Sequence, residues 1–216
     1  MKKLLFVTLA LVIGAGGVAL AAVHTVGGTP TSGNTIPWWV GRPAMRFQTL
    51  WFQSEINEAG DVTKIEWQNY ATITGKGGTF SNTDILLCHT SLAAVTSNFN
   101  NNYDGKTPVN VFTGTYVLPT SAFNEWVTIV SPTNFTYNNT DNLLIEVSWD
   151  ASASGGTNYF KYRGSGGTYP GRVFNYTSKT ATTGTVTANY HQTGRITITP
   201  TAVAPTSLGR VKALYH

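Results

Sequence analysis

Residues 143–150 read Leu-Leu-Ile-Glu-Val-Ser-Trp-Asp, and along them apolar and polar side chains alternate. In an extended strand Leu143, Ile145, Val147 and Trp149 share one face, with Leu144, Glu146, Ser148 and Asp150 on the other. The same two-residue period recurs elsewhere. "MRFQTLWFQ" (45–53) sets Phe47 and Trp51 against Leu50 and Phe52, and "VTKIEWQNY" (62–70) sets Ile65 and Trp67 against Lys64, Glu66 and Gln68. "DILLCH" (84–89) is apolar on both sides, which places it centrally in a sheet. Strand-like segments continue at 109–118, 125–130, 158–163, 172–176, 184–190 and 194–199, and only 91–99 has the makings of a short helical turn. About ten short strands broken by Gly, Asn, Ser and Pro clusters predict an all-β fold, an antiparallel β-sandwich of jelly-roll-like topology.

The cluster "NNTDN" (138–142) precedes the most regular of these strands. A one-residue slip would expose that strand's apolar face, so its register must be pinned. Asn and Asp tolerate left-handed backbone and bond their own main chain, which suits a tight turn. A metal reading is weaker, because Asp141 is the single charged oxygen donor where Ca²⁺ takes six to eight oxygens. "NNNYDGK" (100–106) imitates the start of an EF-hand loop, yet Val111 stands where a bidentate Glu is needed, so a polar turn with Asp-Gly at its tip is expected. No metal ligands and no cofactor site are predicted.

"NFTYNNTDNLLIEVSWD", with "LLCHTSL" (86–92) and "WFQSEINEAGDVTKIEW" (51–67), resembles a β-sandwich module recurrent in large exported and cell-surface proteins of Bacteroidetes-like and uncultured bacteria. The likeness spans roughly residues 44–199, and its motifs mark turns and core positions. It implies the fold and an extracellular setting, and it carries over no catalytic residues. Those proteins often hold fibronectin-type or sorting domains beside the module, whereas this chain has one module and a short tail.

The first residues agree with export. Lys2 and Lys3 precede an apolar run from Leu4 to Leu20, and Ala19-Leu20-Ala21 supplies a small-x-small cleavage pattern. The expected organisation is a signal peptide at 1–21, a leader or linker at 22–42, the sandwich at 43–199 and a tail at 200–216. No membrane span is expected after cleavage, and the destination is secreted or at the bacterial cell surface. Removing the two signal lysines leaves twelve basic against ten acidic side chains, with no basic run, so a nucleic-acid partner is rejected. Cys88 is the single cysteine and reads as a small buried hydrophobe.

Candidate chemistry is sparse. A Cys88–His89 dyad fails because neighbouring strand residues point to opposite faces. Glu55, Glu66, Glu125 and Glu146 are the carboxylates available for an acid–base pair, though exposed strand carboxylates are the ordinary case. No catalytic residues are assigned and the chain is expected to be non-enzymatic. The sequons at Asn134, Asn138 and Asn175 are read as turn chemistry. Trp38 and Trp39, in "IPWWVGRP", are least explained by strand alternation; core or interface packing is the ordinary reading of such a pair, and they are the candidate ligand-binding residues. The leading expectation is an extracellular β-sandwich acting in adhesion or as a structural subunit, self-associating or meeting other surface proteins through strand edges. The alternative is a carbohydrate-binding module using exposed aromatics, and a glycoside hydrolase stands third.

Overall fold

The computed structural model describes residues 20–70, 74–164, 171–188 and 190–201. Most of the expected signal peptide and nearly all of the tail lie outside the described residues. In chain order the strands are β1 (Ala22–Val26), β2 (Ser32–Asn34), β3 (Met45–Trp51), β4 (Gly60–Gln68), β5 (Gly75–Thr90), β6 (Val109–Ser121) and β7 (Trp126–Val130). They continue with β8 (Thr136–Tyr137), β9 (Asn142–Trp149), β10 (Ala151–Gly155), β11 (Phe160–Arg163), β12 (Arg172–Asn175), β13 (Thr185–Thr187), β14 (His191–Gln192) and β15 (Gly194–Thr199). The number exceeds the expected ten because short pairings such as β2, β8 and β14 have too few residues to show a period.

All described pairings between strands are antiparallel. One sheet runs β1-β15-β4-β7, with β8 also on β4; a larger one runs β10-β5-β9-β3-β12-β13, with β6 on the far side of β5. A small third sheet, β14-β11-β2, completes the set. The chain shuttles between sheets, so sheet neighbours come from distant segments: Arg46 faces Ser148 and Ala22 faces Ile198. The molecule is thus an all-β antiparallel sandwich. Among the described residues no helix is long and apolar enough to cross a membrane.

The two larger sheets close on an aromatic core that holds the residues the alternation assigns to one side. Phe47, Trp51, Ile65, Trp67, Leu143, Ile145, Val147 and Trp149 belong to one buried cluster. Trp51 donates from Nε1 to the Gln192 carbonyl at 2.9 Å, and Trp149 donates to the Pro37 carbonyl at 3.1 Å, so each indole sits in the core with its polar edge satisfied.

Three expectations need correction. Residues 22–42 are not a separate leader: β1 lengthens one sheet beside β15, β2 pairs with β11, and Trp38 is in the core. Glycine- and threonine-rich composition hid these strands. Residues 91–99 form bends rather than helix, and the 3₁₀ turn lies later, at Asn101–Tyr103. A four-residue helix, α1 (Gln53–Ile56), was not foreseen. It is held by the 138–142 turn: Gln53 donates its backbone N–H to Asn142 Oδ1 and its side-chain amide to Asn139 Oδ1.

The third correction concerns Glu146 and Glu66, which are buried rather than exposed. The outer face of the larger sheet is covered by the 91–104 loop. Leu50, Cys88, Val95, Phe99, Leu144 and Val173 form a second apolar cluster there. Beside it, Glu146 accepts hydrogen bonds from Arg46, Gln48 and Tyr103, and Asn102 donates to Gln48 Oε1 at 2.8 Å. A long-range cover of this kind leaves no mark in a two-residue period.

Candidate ligand-binding site

Trp38 and Trp39 sit in the connection between β2 and β3, which the rest of the fold fixes at both ends. Asn34 Oδ1 accepts the Ile36 N–H at 2.9 Å, and the Ser152 hydroxyl accepts from Gly41 N and donates to the Arg42 carbonyl. The two indoles separate. Trp38 is fully buried, its ring stacked 4.5 Å from Tyr116 and 5.0 Å from Phe80. Trp39 is half-buried at the periphery, with the Arg42 guanidinium 3.7 Å above its ring.

Arg42 also lies 4.5 Å over Tyr176, whose ring is 6.2 Å from Trp39 and 6.1 Å from Phe174. Trp39, Tyr176 and Phe174 thereby form an aromatic row with Arg42 over its first two rings. Two depressions flank it. The larger, about 330 Å³, is bordered by Phe174, Tyr176, Asn175 and the threonines 177, 183 and 185. The smaller, about 140 Å³, is bordered by Trp39, Val40, Thr35, Thr157 and Asn158, with the buried Trp38 behind them. Flat rings beside short hydroxyl and amide groups can bury an apolar ring face while bonding its polar rim. Sequence reading missed Phe174 and Tyr176, because Tyr176 meets Trp39, and Phe174 meets Tyr176, only through folding; it also missed Arg42, although Arg42 stands three residues after Trp39.

The four candidate carboxylates do not converge on this row. Glu146 is bound to Arg46, and Glu66 to Arg195, on the outer faces of different sheets. Burial works against the Glu66 charge, but Arg195 and Lys64 hold its carboxyl below the usual range. Burial raises Glu55, which receives the Gly27 N–H and lies 3.2 Å from His191. Glu125 accepts the Ala122 N–H.

Cys88 and His89 point to opposite faces. The thiol is in the second cluster, where burial pushes it up to about 11, and the imidazole stacks 4.9 Å from Phe135. His89 Nε2 accepts the Asn138 N–H at 3.2 Å.

The polar clusters are turns. Asn138 Oδ1 accepts from the N–H groups of Thr140 and Asp141, and Asn139 is left-handed at φ 55°. Asp141 pairs with Lys106 at 2.9 Å. Asp104, at φ 56°, turns its carboxylate back to Ser91, taking both the backbone N–H and the hydroxyl. Asn175 repeats the arrangement, accepting from Thr177 and Ser178. Among the described residues no group of three or more His, Cys, Asp or Glu could hold a metal ion. Comparisons with family models, with curated proteins and with solved structures found no match, so the functional reading rests on this geometry.

Proposed function

We propose that this chain is an exported, non-enzymatic β-sandwich of a bacterial surface that adheres by binding a glycan along Trp39, Tyr176 and Phe174. The observation that carries the reading is the aromatic row, with Arg42 over its first two rings, between two depressions rimmed by Thr and Asn. Such a surface suits a neutral, hydroxyl-rich ligand more than an ion or a nucleic acid. The resemblance to exported modules and the export-like first residues support the setting. Mature protein applied to a broad glycan array should select a defined set of saccharides. Trp39→Ala and Tyr176→Ala should each weaken that binding at least about tenfold, as loss of an aromatic anchor does. Absence of binding across the array overturns the reading.

A structural-subunit role is the second reading, favoured by β6. This thirteen-residue strand pairs only with β5 among the described residues and exposes Val117 by 66%. A free edge of that length can accept a strand from another copy or another surface protein. Light scattering over a concentration series should then show assembly that Val117→Lys removes, and a strict monomer at every concentration rejects it.

A further inference from the structure

Arg172 opens β12 with its side chain on the same face as Phe174, and it is only 4% exposed. Its guanidinium lies 4.4 Å from the Tyr190 ring, 5.5 Å from Tyr162 and 5.7 Å from Phe174. The buried Arg46 and the half-buried Arg195 each grip a carboxylate. Arg172 does not: among the described residues its Nε and Nη1 are buried with no hydrogen-bond partner. Directly across the ladder, in register with it, stands Thr49, fully buried, whose hydroxyl also lacks a partner. Residues opposite each other in an antiparallel pair place their Cβ atoms about 4.5–5.5 Å apart on one face.

A desolvated cation and a desolvated hydroxyl are therefore carried by cross-strand neighbours, and both want an acceptor. The Tyr162 and Tyr190 rings, stacked at 4.3 Å, lie against the guanidinium. Burial pulls Arg172 down to about 10, which leaves it charged at neutral pH. We infer that Arg172 and Thr49 form a binding site for a small monovalent anion, a halide or the carboxylate of an organic acid. This site shares the Phe174 ring with the aromatic row but uses neither Trp39 nor Tyr176, so the glycan reading can fail while it stands.

The test compares thermal unfolding of mature protein in salts of equal ionic strength that differ only in the anion. Chloride, bromide or acetate should raise Tm saturably, by about 4 °C or more, relative to gluconate, a carboxylate far bulkier than acetate. Thr49→Val should weaken the saturable part, and Arg172→Met, if it folds, should abolish it. Crystals soaked in bromide should show an anomalous peak within contact of Arg172 and Thr49. Displacement of that bromide by acetate assigns the site to carboxylates, and retention assigns it to halides; both outcomes support it. Salt effects that never saturate and are equal in wild type and Thr49→Val, with no bromide peak at Arg172, overturn it.

Discussion

Arg46 and Glu146, a hundred residues apart, meet in a two-point contact under the 91–104 loop: Nε to Oε1 at 3.0 Å and Nη2 to Oε2 at 3.2 Å. The carboxylate is filled further by Gln48 and Tyr103, each at 2.6 Å. Burial opposes the Arg46 charge, yet Glu146 and Tyr103 leave its pKa raised, while burial and the nearby carboxylate raise the Tyr103 phenol. The pair joins neighbouring strands β3 and β9, and Asn100 and Tyr103 bond to it from the loop, tying loop to sheet. Because removing one buried partner strands the other, Glu146→Gln or Arg46→Met should cost about 3–5 kcal/mol. Replacing both with apolar residues should cost less than either alone, a double-mutant cycle readable in urea melts.

The two adjacent tryptophans should behave oppositely. Trp38→Ala empties a large core volume and should destabilise by about 3–5 kcal/mol. Trp39→Ala removes a half-buried ring and should leave the melting temperature within a few degrees while weakening ligand capture at least about tenfold. Equal stability losses for both would place Trp39 in the core and undo the site.

Acid should unfold the protein partly through His191. Its side chain is 2% exposed beside Phe52, Glu55 and Arg163, and burial, then Arg163, lowers its pKa to about 4. The unfolded imidazole takes a proton near pH 6.5, so stability present above that pH declines as pH falls toward 4, by up to about 3 kcal/mol. Glu55, raised by burial, acts in the opposite sense and blunts the decline. Stability measured against pH should flatten in this window in His191→Gln.

The 138–142 turn should be insensitive to metal and sensitive to backbone. EDTA or added Ca²⁺ should leave Tm unchanged. Asn138→Ala loses an acceptor for two N–H groups and should cost about 1 kcal/mol. At Asn139, φ 55°, glycine should be neutral or better and valine should cost about 1–2 kcal/mol.

Alternation located the interior because side-chain direction in a strand is local: Ile65, Trp67 and Leu143 through Trp149 needed no knowledge of partners. It could not see that Glu146, Gln48 and Arg46 are buried, since the loop covering them folds over from elsewhere in the chain. Nor could it see all of β5, whose first half, "GKGGTFSNT", has the composition of a turn but is held as strand by β6 and β10. The candidate site was half legible. Trp39 stood out as an aromatic without a strand to explain it, and Arg42 was within reach three residues on, whereas Tyr176 and Phe174 look ordinary until β12 is laid beside β3.

β1 is paired, among the described residues, only with β15, and β15 also flanks β4. A chain delivered N-terminus first therefore has nowhere to lay its opening strand until its closing one arrives. Joining such remote segments is slow, because their loops must close before any contact rewards them. Among the described strands β15 is thus the shared seam of β1 and β4, and deleting Gly194–Thr199 would strip both of a ladder at a stroke.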